Sequence, residues 1–426
     1  MNWPTRTVAD LQAEGVLLVE DGNHGEYRPR PHEFVQDGTR FIRATDISNG
    51  RVRFESASCI NDVARARIRK GVGQPLDILF SHKGTVGKIA FVPTEAPPFV
   101  CSPQTTFWRV LDEHAIDRRY LHAYLRSPLF TKQWYVRKGE TDMADYVSLT
   151  AQRSFGIALP PHGTQRKIAA VLAAYDELIE NNLRRIEILE EMAQAAYREW
   201  FVNFRFPGHE NVALVDSSLG PIPEGWQIVR IRDVASVNSE SIRPKDVPCE
   251  IQYIDISSVS PGSIDAITIV RFEEAPSRAR RVVRHGDTIW STVRPNRRSF
   301  ALVLNPTENT IVSTGFAVLR PRTVPWAFLY LATSTMEFSA YLANHARGAA
   351  YPAVNAEDFE NARLVIPPGR LLEHFAPLVE PMFELRESLR KQDINLRVTR
   401  DLLLPKLISG EIDVSELDID TEWLAS

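Results

Sequence analysis

Residues 164–200 read TQRKIAAVLAAYDELIENNLRRIEILEEMAQAAYREW. Apolar residues recur there at alternating steps of four and three, the spacing of a coiled-coil seam rather than of an ordinary amphipathic helix. No proline or glycine interrupts the stretch. At about 1.5 Å per residue such a helix is roughly 55 Å long, which is longer than a small domain is wide. The seam therefore requires a partner helix.

The partner is predicted near the other end of the chain, where the same spacing returns between residues 371 and 403. Pro377 and Pro381 predict a short first helix or a bend there, with the long helix starting near Met382. Polar seam residues are expected to fix the register. Two unrelated core helices are the alternative to an intramolecular antiparallel pair that acts as a spacer. The predicted seam consists of Ile168, Leu172, Tyr175, Ile179, Asn182, Ile186, Leu189 and Trp200 in the first helix, and of Leu385, Leu389, Gln392, Leu396 and Leu403 in the second.

Length and composition indicate a globular protein of several parts. The chain has 426 residues, of which 44% are hydrophobic and 24% are charged, enough for two or three domains with their own cores. We expect a cytoplasmic protein, because no apolar run reaches the ~18 residues of a membrane helix and the N-terminus lacks a signal-peptide pattern. Cys59, Cys101 and Cys249 are odd in number and far apart, which predicts reduced core thiols.

The remaining sequence repeats itself once. RARIRKGVGQPLDILFS (65–81) corresponds to RARRVVRHGDTIWS (278–291), which aligns Asp77 with Asp287 and Phe80 with Trp290. The repeat predicts two copies of one mixed α/β module, an α/β (α+β) fold with two tandem globular domains and two long antiparallel coiled-coil helices. The predicted parts are a first head (residues 1–160), a central spacer helix (161–207), a second head (208–366) and a C-terminal helix with its tail (367–426). Antiparallel pairing would relate the heads by a pseudo-twofold axis.

The charge distribution points to nucleic acid although the net charge is −4. Residues 1–160 carry 21 Lys and Arg against 18 Asp and Glu, and residues 227–366 carry 16 against 14, whereas the helical parts are acidic. Segment 276–300 holds seven arginines and a single acid, which favours binding of a phosphate backbone over a solvated face. Arg and Asn are also the residues that read guanine and adenine in the major groove.

Candidate DNA-binding residues follow from exposed basic loops. SHKGTVGK (81–88) is read as a phosphate- or base-contacting loop, with a plain solvated hairpin tip as the equal alternative, since it lacks the ending of a true phosphate loop. DGNHGEYRPRP (21–31) is a second basic loop. The candidates are His24, Arg28, Arg30, Arg43, His82, Lys83, Lys88, Arg137, Lys138, Arg243, Lys245, Arg294, Asn296, Arg297, Arg298 and Arg347.

Catalytic motifs are missing from the sequence. There is no Asp/Glu-x-Lys triplet of a restriction-type nuclease, no Gly-x-Gly-x-x-Gly, no Asn/Asp-Pro-Pro-aromatic motif of an amino-methyltransferase and no Walker loop. Histidines are scattered without metal spacing. We therefore expect a chain without catalytic residues, metal or cofactor of its own.

The order of parts resembles the specificity subunit of a type I restriction–modification system, over nearly the whole chain. The most specific pieces are QRKI (165–168), YREWF (197–201), LPKL (404–407) and SGE (409–411). The resemblance implies that each head reads one half of a split double-stranded DNA site and that the helices dock two methyltransferase subunits. It also implies a separate restriction/translocase subunit, with S-adenosylmethionine and ATP/Mg on the partner subunits. The second helix departs from the pattern at Pro377 and Pro381.

Two other functions stay open at this point. The first is a stand-alone DNA methyltransferase with unrecognised motifs, which would methylate DNA without added subunits. The second is a coiled-coil scaffold without DNA affinity, which would show absent or salt-insensitive DNA binding.

Overall fold

The computed structural model describes residues 3–48, 50–138, 145–243 and 248–425. The chain forms two compact units. The first unit comprises Met1–Glu180 and Ile394–Ser426, and the second comprises Asn181–Asp393. Each unit thus contains one head together with parts of both long helices. The division into four parts made from the sequence stays a prediction.

Short strands dominate the first head: β1 (Thr5–Thr7), β2 (Leu17–Asp21), β3 (Phe34–Val35), β4 (Thr39–Ile42), β5 (Ile47–Ser48), β6 (Arg51–Val52), β7 (Cys59–Ile60), β8 (Ile78–Ser81), β9 (Ile89–Phe91), β10 (Phe99–Cys101), β11 (Thr105–Val110) and β12 (Gly156–Ala158). Its helices are α1 (Val8–Ala13), α2 (Asp62–Arg67), α3 (Arg118–Arg126), α4 (Pro128–Tyr135) and α5 (Leu149–Arg153). The long helix α6 (His162–Tyr197) follows, and a π-helical turn over Arg198–Val202 continues it.

The second head repeats this inventory with strands β13 (Leu214–Val215), β14 (Ile222–Pro223), β15 (Gln227–Arg230), β16 (Ala235–Val237), β17 (Glu250–Ile254), β18 (Val259–Ser260), β19 (Ser263–Ile264), β20 (Thr268–Arg271), β21 (Ala279–Val282), β22 (Thr288–Ser291), β23 (Phe300–Leu302), β24 (Thr310–Ser313), β25 (Phe316–Pro321) and β26 (Arg363–Ile366). Its helices are α7 (Ile231–Val234), α8 (Trp326–Thr333), α9 (Met336–His345) and α10 (Ala356–Asn361), followed by the long helix α11 (Gly369–Ser409).

Strand order is shared by the two heads. The antiparallel sheet β2-β11-β8-β9 corresponds to β16-β25-β22-β23. A second sheet in each head contains one parallel pair, β4 with β10 and β17 with β24. The last strand of each head pairs antiparallel with an early strand, β12 with β1 and β26 with β15. The repeat seen in the sequence is therefore a repeat of sheet topology.

A buried ion pair occupies the same place in both heads. Asp77, just before β8, accepts hydrogen bonds from Arg109 of β11 at 2.7 and 2.8 Å. Asp287, just before β22, pairs with Arg320 of β25 at 2.8 Å. Both aspartates are fully buried. The alignment of Asp77 with Asp287 is thus structural, and Phe80 and Trp290 follow three residues later in the two cores.

In the first unit, the start of α6 packs against the end of α11. Ile168 and Leu172 share an apolar cluster with Leu407 and Ile408. Further along, Asp176 accepts hydrogen bonds from Arg126 at 2.7 Å and Arg400 at 2.6 Å. The helix segments in this unit therefore run in opposite directions.

In the second unit, the end of α6 packs against the start of α11. Asn182 donates a hydrogen bond to Asp393 at 3.1 Å. Two turns later, Glu190 accepts from Arg386 at 3.1 Å, and the rings of Trp200 and Phe375 lie 5.6 Å apart. These segments also pair antiparallel.

The seam predicted for α6 is confirmed, because its positions from Ile168 to Trp200 are buried or half-buried. The seam predicted for α11 is wrong at two positions. Leu385 and Gln392 are exposed, and the next residues, Arg386 and Asp393, occupy the seam instead with exposures of 1% and 5%. An apolar pattern cannot locate these positions, since each buried charge is held there by a polar partner on α6.

The separate short helix predicted before Met382 is wrong, because α11 is continuous from Gly369 to Ser409. The alternative, a bend at Pro377 and Pro381, stays a prediction. Both prolines are exposed. Each removes one backbone donor, but the carbonyl groups left free on an exposed face can bond to water. The helix therefore continues through them.

Two of the three cysteines lie in the core. Cys59 and Cys101 are buried free thiols, as predicted, whereas Cys249 is exposed, which corrects the expectation of three core thiols.

In the described ranges, no helix has both the length and the apolar content that a membrane crossing requires.

Candidate nucleic-acid interface

Two neighbouring loops form the candidate site of the first head. The hairpin loop (residues 82–88) joins β8 to β9, which confirms the predicted pair of strands. The return loop, between the end of α4 and the start of α5, lies beside it. The Val147 amide donates to the carbonyl of His82 at 2.8 Å, and the Gly84 amide donates to the carbonyl of Asp145 at 2.9 Å. Backbone hydrogen bonds thus hold the two loops together.

The second head has the same pair of loops. Its hairpin loop (residues 292–299) joins β22 to β23, and its return loop connects α9 to α10. The Val354 amide donates to the carbonyl of Thr292 at 2.9 Å, as Val147 does to His82. The Arg294 amide donates to the carbonyl of Pro352 at 2.7 Å. The two most basic loops found in the sequence are therefore equivalent in the fold.

Each loop pair places a cation over an aromatic ring. The ammonium of Lys83 lies 5.7 Å from the ring centre of Tyr146, and the guanidinium of Arg294 lies 4.6 Å from that of Tyr351. Tyr351 is 69% exposed. A ring below a cation limits the cation's motion and offers an apolar face beside it. Sequence reasoning missed both tyrosines, since nothing local links them to the hairpin loops.

Arg294 is further fixed by its backbone. Its φ of +50° places it in the left-handed region, and its guanidinium approaches the carbonyl of Ala350 at 3.5 Å. A guanidinium held in one orientation presents its paired donors at low entropic cost. This geometry suits recognition of a guanine edge or a phosphate.

Some candidate cations are engaged within the protein. Three donate to backbone carbonyls: Lys88 to Ala44 at 2.9 Å, Arg137 to Ala151 at 3.3 Å and Arg298 to Ser334 at 2.7 Å. Two are paired with carboxylates: Lys138 with Asp145 and Arg347 with Asp358, each at 3.2 Å. These side chains hold the loops, and their charge is partly neutralised.

The two candidate histidines lie in the interior, which is a correction. His24 is 5% exposed and its Nε2 is 2.8 Å from the carbonyl of Cys101. His82 is 1% exposed and its Nδ1 is 3.1 Å from the carbonyl of Val147. Burial lowers the pKa of both imidazoles, so they are neutral at pH 7. They fasten loops and do not reach the surface.

The basic loop at residues 21–31 is anchored at Gly22, which lies against the backbone of Cys101. A Cβ on Gly22 would lie 2.0 Å from the carbonyl oxygen of Cys101, so only glycine fits. Arg28 and Arg30 are exposed beyond this anchor. Arg43 is exposed too, with its guanidinium 5.6 Å from the ring centre of Phe34. These three arginines remain available to a ligand.

In the second head, Asn296 and Arg297 project from the hairpin loop and are exposed. Across the ranges that the structure describes, neither side chain makes a hydrogen bond or an ion pair. Arg243 is also exposed. Lys245 lies outside the described residues.

The arginine-rich segment 276–300 is less cationic than its sequence suggests. Arg278 pairs with Asp255 at 2.6 Å, and Arg284 pairs with Glu240 at 2.6 Å. These acids lie far away in the sequence, so the local count of charges overstated the patch. The hairpin loop retains the free charge.

The carboxylate of Glu240 is held by two arginines. Arg284 and Arg320 donate hydrogen bonds to it, which lowers its pKa to about 2. A carboxylate with a lowered folded pKa stabilises the fold above its unfolded pKa of about 4.5 and loses that contribution as the pH falls towards 2. Glu240→Gln should therefore destabilise the second unit at pH 7 by about 1 kcal/mol, a value reduced for a carboxylate that is one-third exposed.

Thermal unfolding of both proteins between pH 7 and pH 3 checks this, and the two melting temperatures should converge as the pH falls. Asp265→Asn, at an exposed position of the same unit, is the control. Its melting temperature should equal that of the wild type at each pH. If the difference in melting temperature between Glu240→Gln and the wild type did not change with pH, the effect would come from packing and not from charge.

Comparisons with known proteins match most of the chain. A family model described as the type I restriction modification DNA specificity domain matches residues 30–191. The MjaIX specificity subunit of Methanocaldococcus jannaschii is 25% identical over 343 residues, 79% of each chain. The HindI specificity subunit of Haemophilus influenzae is 22% identical over 87% of this chain and 94% of the relative.

The chain is similar to the specificity subunits of type I restriction–modification systems. The segment matched by the family model includes the hairpin and return loops of the first head. A crystal structure of a type I S subunit from M. genitalium has a TM-score of 0.58 at 14% identity, with 96% of each chain covered. That likeness in fold extends through the second head of this chain.

Among the described residues, no group of three or more His, Cys, Asp and Glu side chains is placed to hold a metal ion.

Proposed function

We propose that this specificity subunit reads a bipartite double-stranded DNA site, with one half-site bound by each head. The observation that carries the proposal is the repeated pair of hairpin and return loops. In both heads the loops are joined by the same backbone hydrogen bond and present a cation over a tyrosine ring. Equivalent surfaces on two copies of one module suit two separate half-sites.

The two loop pairs carry different chemistry. Arg294 offers a forked donor that matches the two acceptors of guanine, whereas Lys83 offers a single charged point. Phosphate contacts from Arg28, Arg30 and Arg297 would supply affinity that does not depend on sequence. The heads would therefore prefer different half-sites.

The helices α6 and α11 complete the proposal. As an antiparallel coiled coil, they would act as a spacer between two heads related by a pseudo-twofold axis. They would also dock two methyltransferase subunits and a restriction/translocase subunit in the cytoplasm. The polar contacts of Asn182 and Glu190 with α11 support a fixed register. Catalysis would then belong to the partners, which would hold S-adenosylmethionine and ATP/Mg.

A salt titration tests the DNA contact. Lys83→Gln combined with Arg297→Gln should weaken DNA binding and lower the dependence of log affinity on log salt by about 1–2 units, since each lost phosphate contact removes about 0.9. Both side chains are exposed, so the fold should be kept. Arg294 is avoided because its replacement would also disturb a left-handed backbone.

Lys391→Gln is the matched control, since Lys391 is an exposed cation on α11 and should not change the slope. An unchanged slope in the double variant would remove both hairpin loops from the interface. A wild-type chain without salt-dependent binding would favour a scaffold, and one that methylates DNA without other subunits would favour an enzyme.

A further inference from the structure

A basic groove of about 460 Å³ lies in the second unit, where β15 pairs with β26. Its lining includes Arg230, Arg232, Asp233, Arg363 and Ser218. All five are exposed, and none belongs to the hairpin or return loop. The groove is thus separate from the interface described above.

The groove brings like charges together. Arg230 and Arg363 are direct cross-strand partners in the antiparallel pair. Like charges directly opposite each other destabilise a sheet. Arg232 follows two residues later, and the exposed Arg322 donates to its carbonyl. Three arginines therefore line the groove, and the guanidinium of Arg322 lies next to the backbone of one of them.

The protein supplies little negative charge in return. The carboxylate of Asp233 accepts the backbone amide of Arg230 at 2.9 Å. The guanidinium of Arg230 approaches the neutral Asn361 at 3.4 Å, and that of Arg363 approaches the Ser218 hydroxyl at 3.4 Å. Within the described ranges, no ion pair joins a carboxylate to any of the four guanidinium groups. In these ranges the guanidinium groups are therefore left without a salt-bridge partner.

Among its described residues, the first head does not repeat the facing arginines of this groove. In its equivalent strand pair, β1 with β12, Thr7 faces Gly156 at the position that precedes the helix, and Arg6 faces the apolar Ile157. Arg6 is moreover paired with Glu14. The unpaired arginines are therefore a property of the second head and not of the shared fold.

We propose that this groove binds phosphodiester groups of the DNA backbone. The inference rests on the proposed function and extends the DNA contact of the second head beyond its hairpin and return loops. Guanidinium forks bind phosphate oxygens in pairs, and several forks along an open groove suit a run of backbone phosphates. Phosphate binding would also relieve the repulsion between Arg230 and Arg363.

The test uses the full chain with Arg230→Gln and Arg363→Gln combined. On a long non-specific duplex, the slope of log affinity against log salt should fall by about 1–2 units. The Arg230→Lys and Arg363→Lys double variant keeps the charge and should retain the slope. Lys391→Gln again serves as the exposed control. The melting temperature of the Gln variant at low salt should equal or exceed that of the wild type, because like-charge repulsion is removed.

A second arm separates DNA phosphate from free phosphate. If the groove binds the phosphates of DNA and not free phosphate, inorganic phosphate should have the same effect on both proteins. It should raise the melting temperatures of the wild type and of the Gln variant by the same small amount. An unchanged DNA slope with loss of phosphate stabilisation would overturn the proposal in favour of a free-anion site. An unchanged DNA slope with weaker binding of methyltransferase would overturn it in favour of a protein contact. Absence of DNA binding by the wild type would instead contradict the proposed function itself.

Discussion

Replacement of Glu190 with alanine is expected to destabilise the second unit by about 3 kcal/mol, since breaking a buried ion pair leaves the other charge uncompensated. Arg386, its partner on α11, is 1% exposed and has a buried Nε without a hydrogen-bond partner. Glu190 also accepts a hydrogen bond from Arg390 at 3.0 Å. Loss of one carboxylate therefore removes the partner of two cations, one of which cannot reach water.

Calorimetry of the full chain measures this effect as a lower melting temperature of the transition that contains the second unit. Glu187→Ala is the matched control, because Glu187 lies on the same helix and is exposed. Exposed substitutions of this kind change stability by about 0.5 kcal/mol or less. Equal effects of the two alanine variants would show that the ion pair contributes nothing.

A double replacement separates the cost of a buried charge from the cost of lost packing. Glu190→Met with Arg386→Met removes both charges and retains side-chain volume. Exchange of a buried ion pair for apolar residues is often neutral or stabilising. The double variant should thus be much more stable than Glu190→Ala. A double variant as unstable as Glu190→Ala would show that the loss comes from packing.

Insertion of one heptad into each long helix is expected to change the DNA spacing that the complex recognises. Under the proposed function, the paired helices set the distance between half-sites. Seven residues add about 10 Å of helix, which corresponds to about three base pairs at ~3.4 Å each. Modification should move to half-sites with the longer spacer, while the half-site sequences stay the same.

The contacts in the second unit define where the heptads belong. In α6 the insertion follows Ile186, between Asn182 and Glu190. In α11 it follows Arg390, between Arg386 and Asp393. Both polar pairs are kept by this choice, because each residue stays on the same side of the insertion as its partner.

Insertion into α6 alone is the control for this experiment. It displaces Asn182 from Asp393 or Glu190 from Arg386, so the chain should lose stability. Mapping of methylated bases in the presence of the methyltransferase reads out the doubly extended protein. Retention of the original spacing by that protein would mean that the helices do not set the distance.

Much of the candidate site follows from local sequence. Glycines and lysines between two apolar strands predicted the first hairpin loop, and the concentration of arginines in residues 276–300 drew attention to the second. Exposure of Arg297 follows from its place on a short polar loop. The tyrosines of the return loops could not be found this way, because a backbone hydrogen bond between distant segments brings them to the cations.

The burial of the two candidate histidines could not be predicted from the sequence either. His24 and His82 lie among polar and glycine-rich neighbours, a pattern typical of exposed loops. Each ring instead bonds to a carbonyl of a distant segment, Cys101 or Val147. A polar residue is buried only where the fold provides its partner, and that partner is not visible in the local sequence.

The sequence by itself determined the apolar spacing of α6 and the repeat of one module. Apolar spacing and repeated motifs are local properties, so a linear pattern contains them. Tertiary structure alone decided which charges are neutralised and which polar residues enter the seam of α11. Arg386 is buried because Glu190, 196 residues earlier, faces it. The cost of burying a charge depends on what surrounds it in space, and no spacing along the chain encodes that.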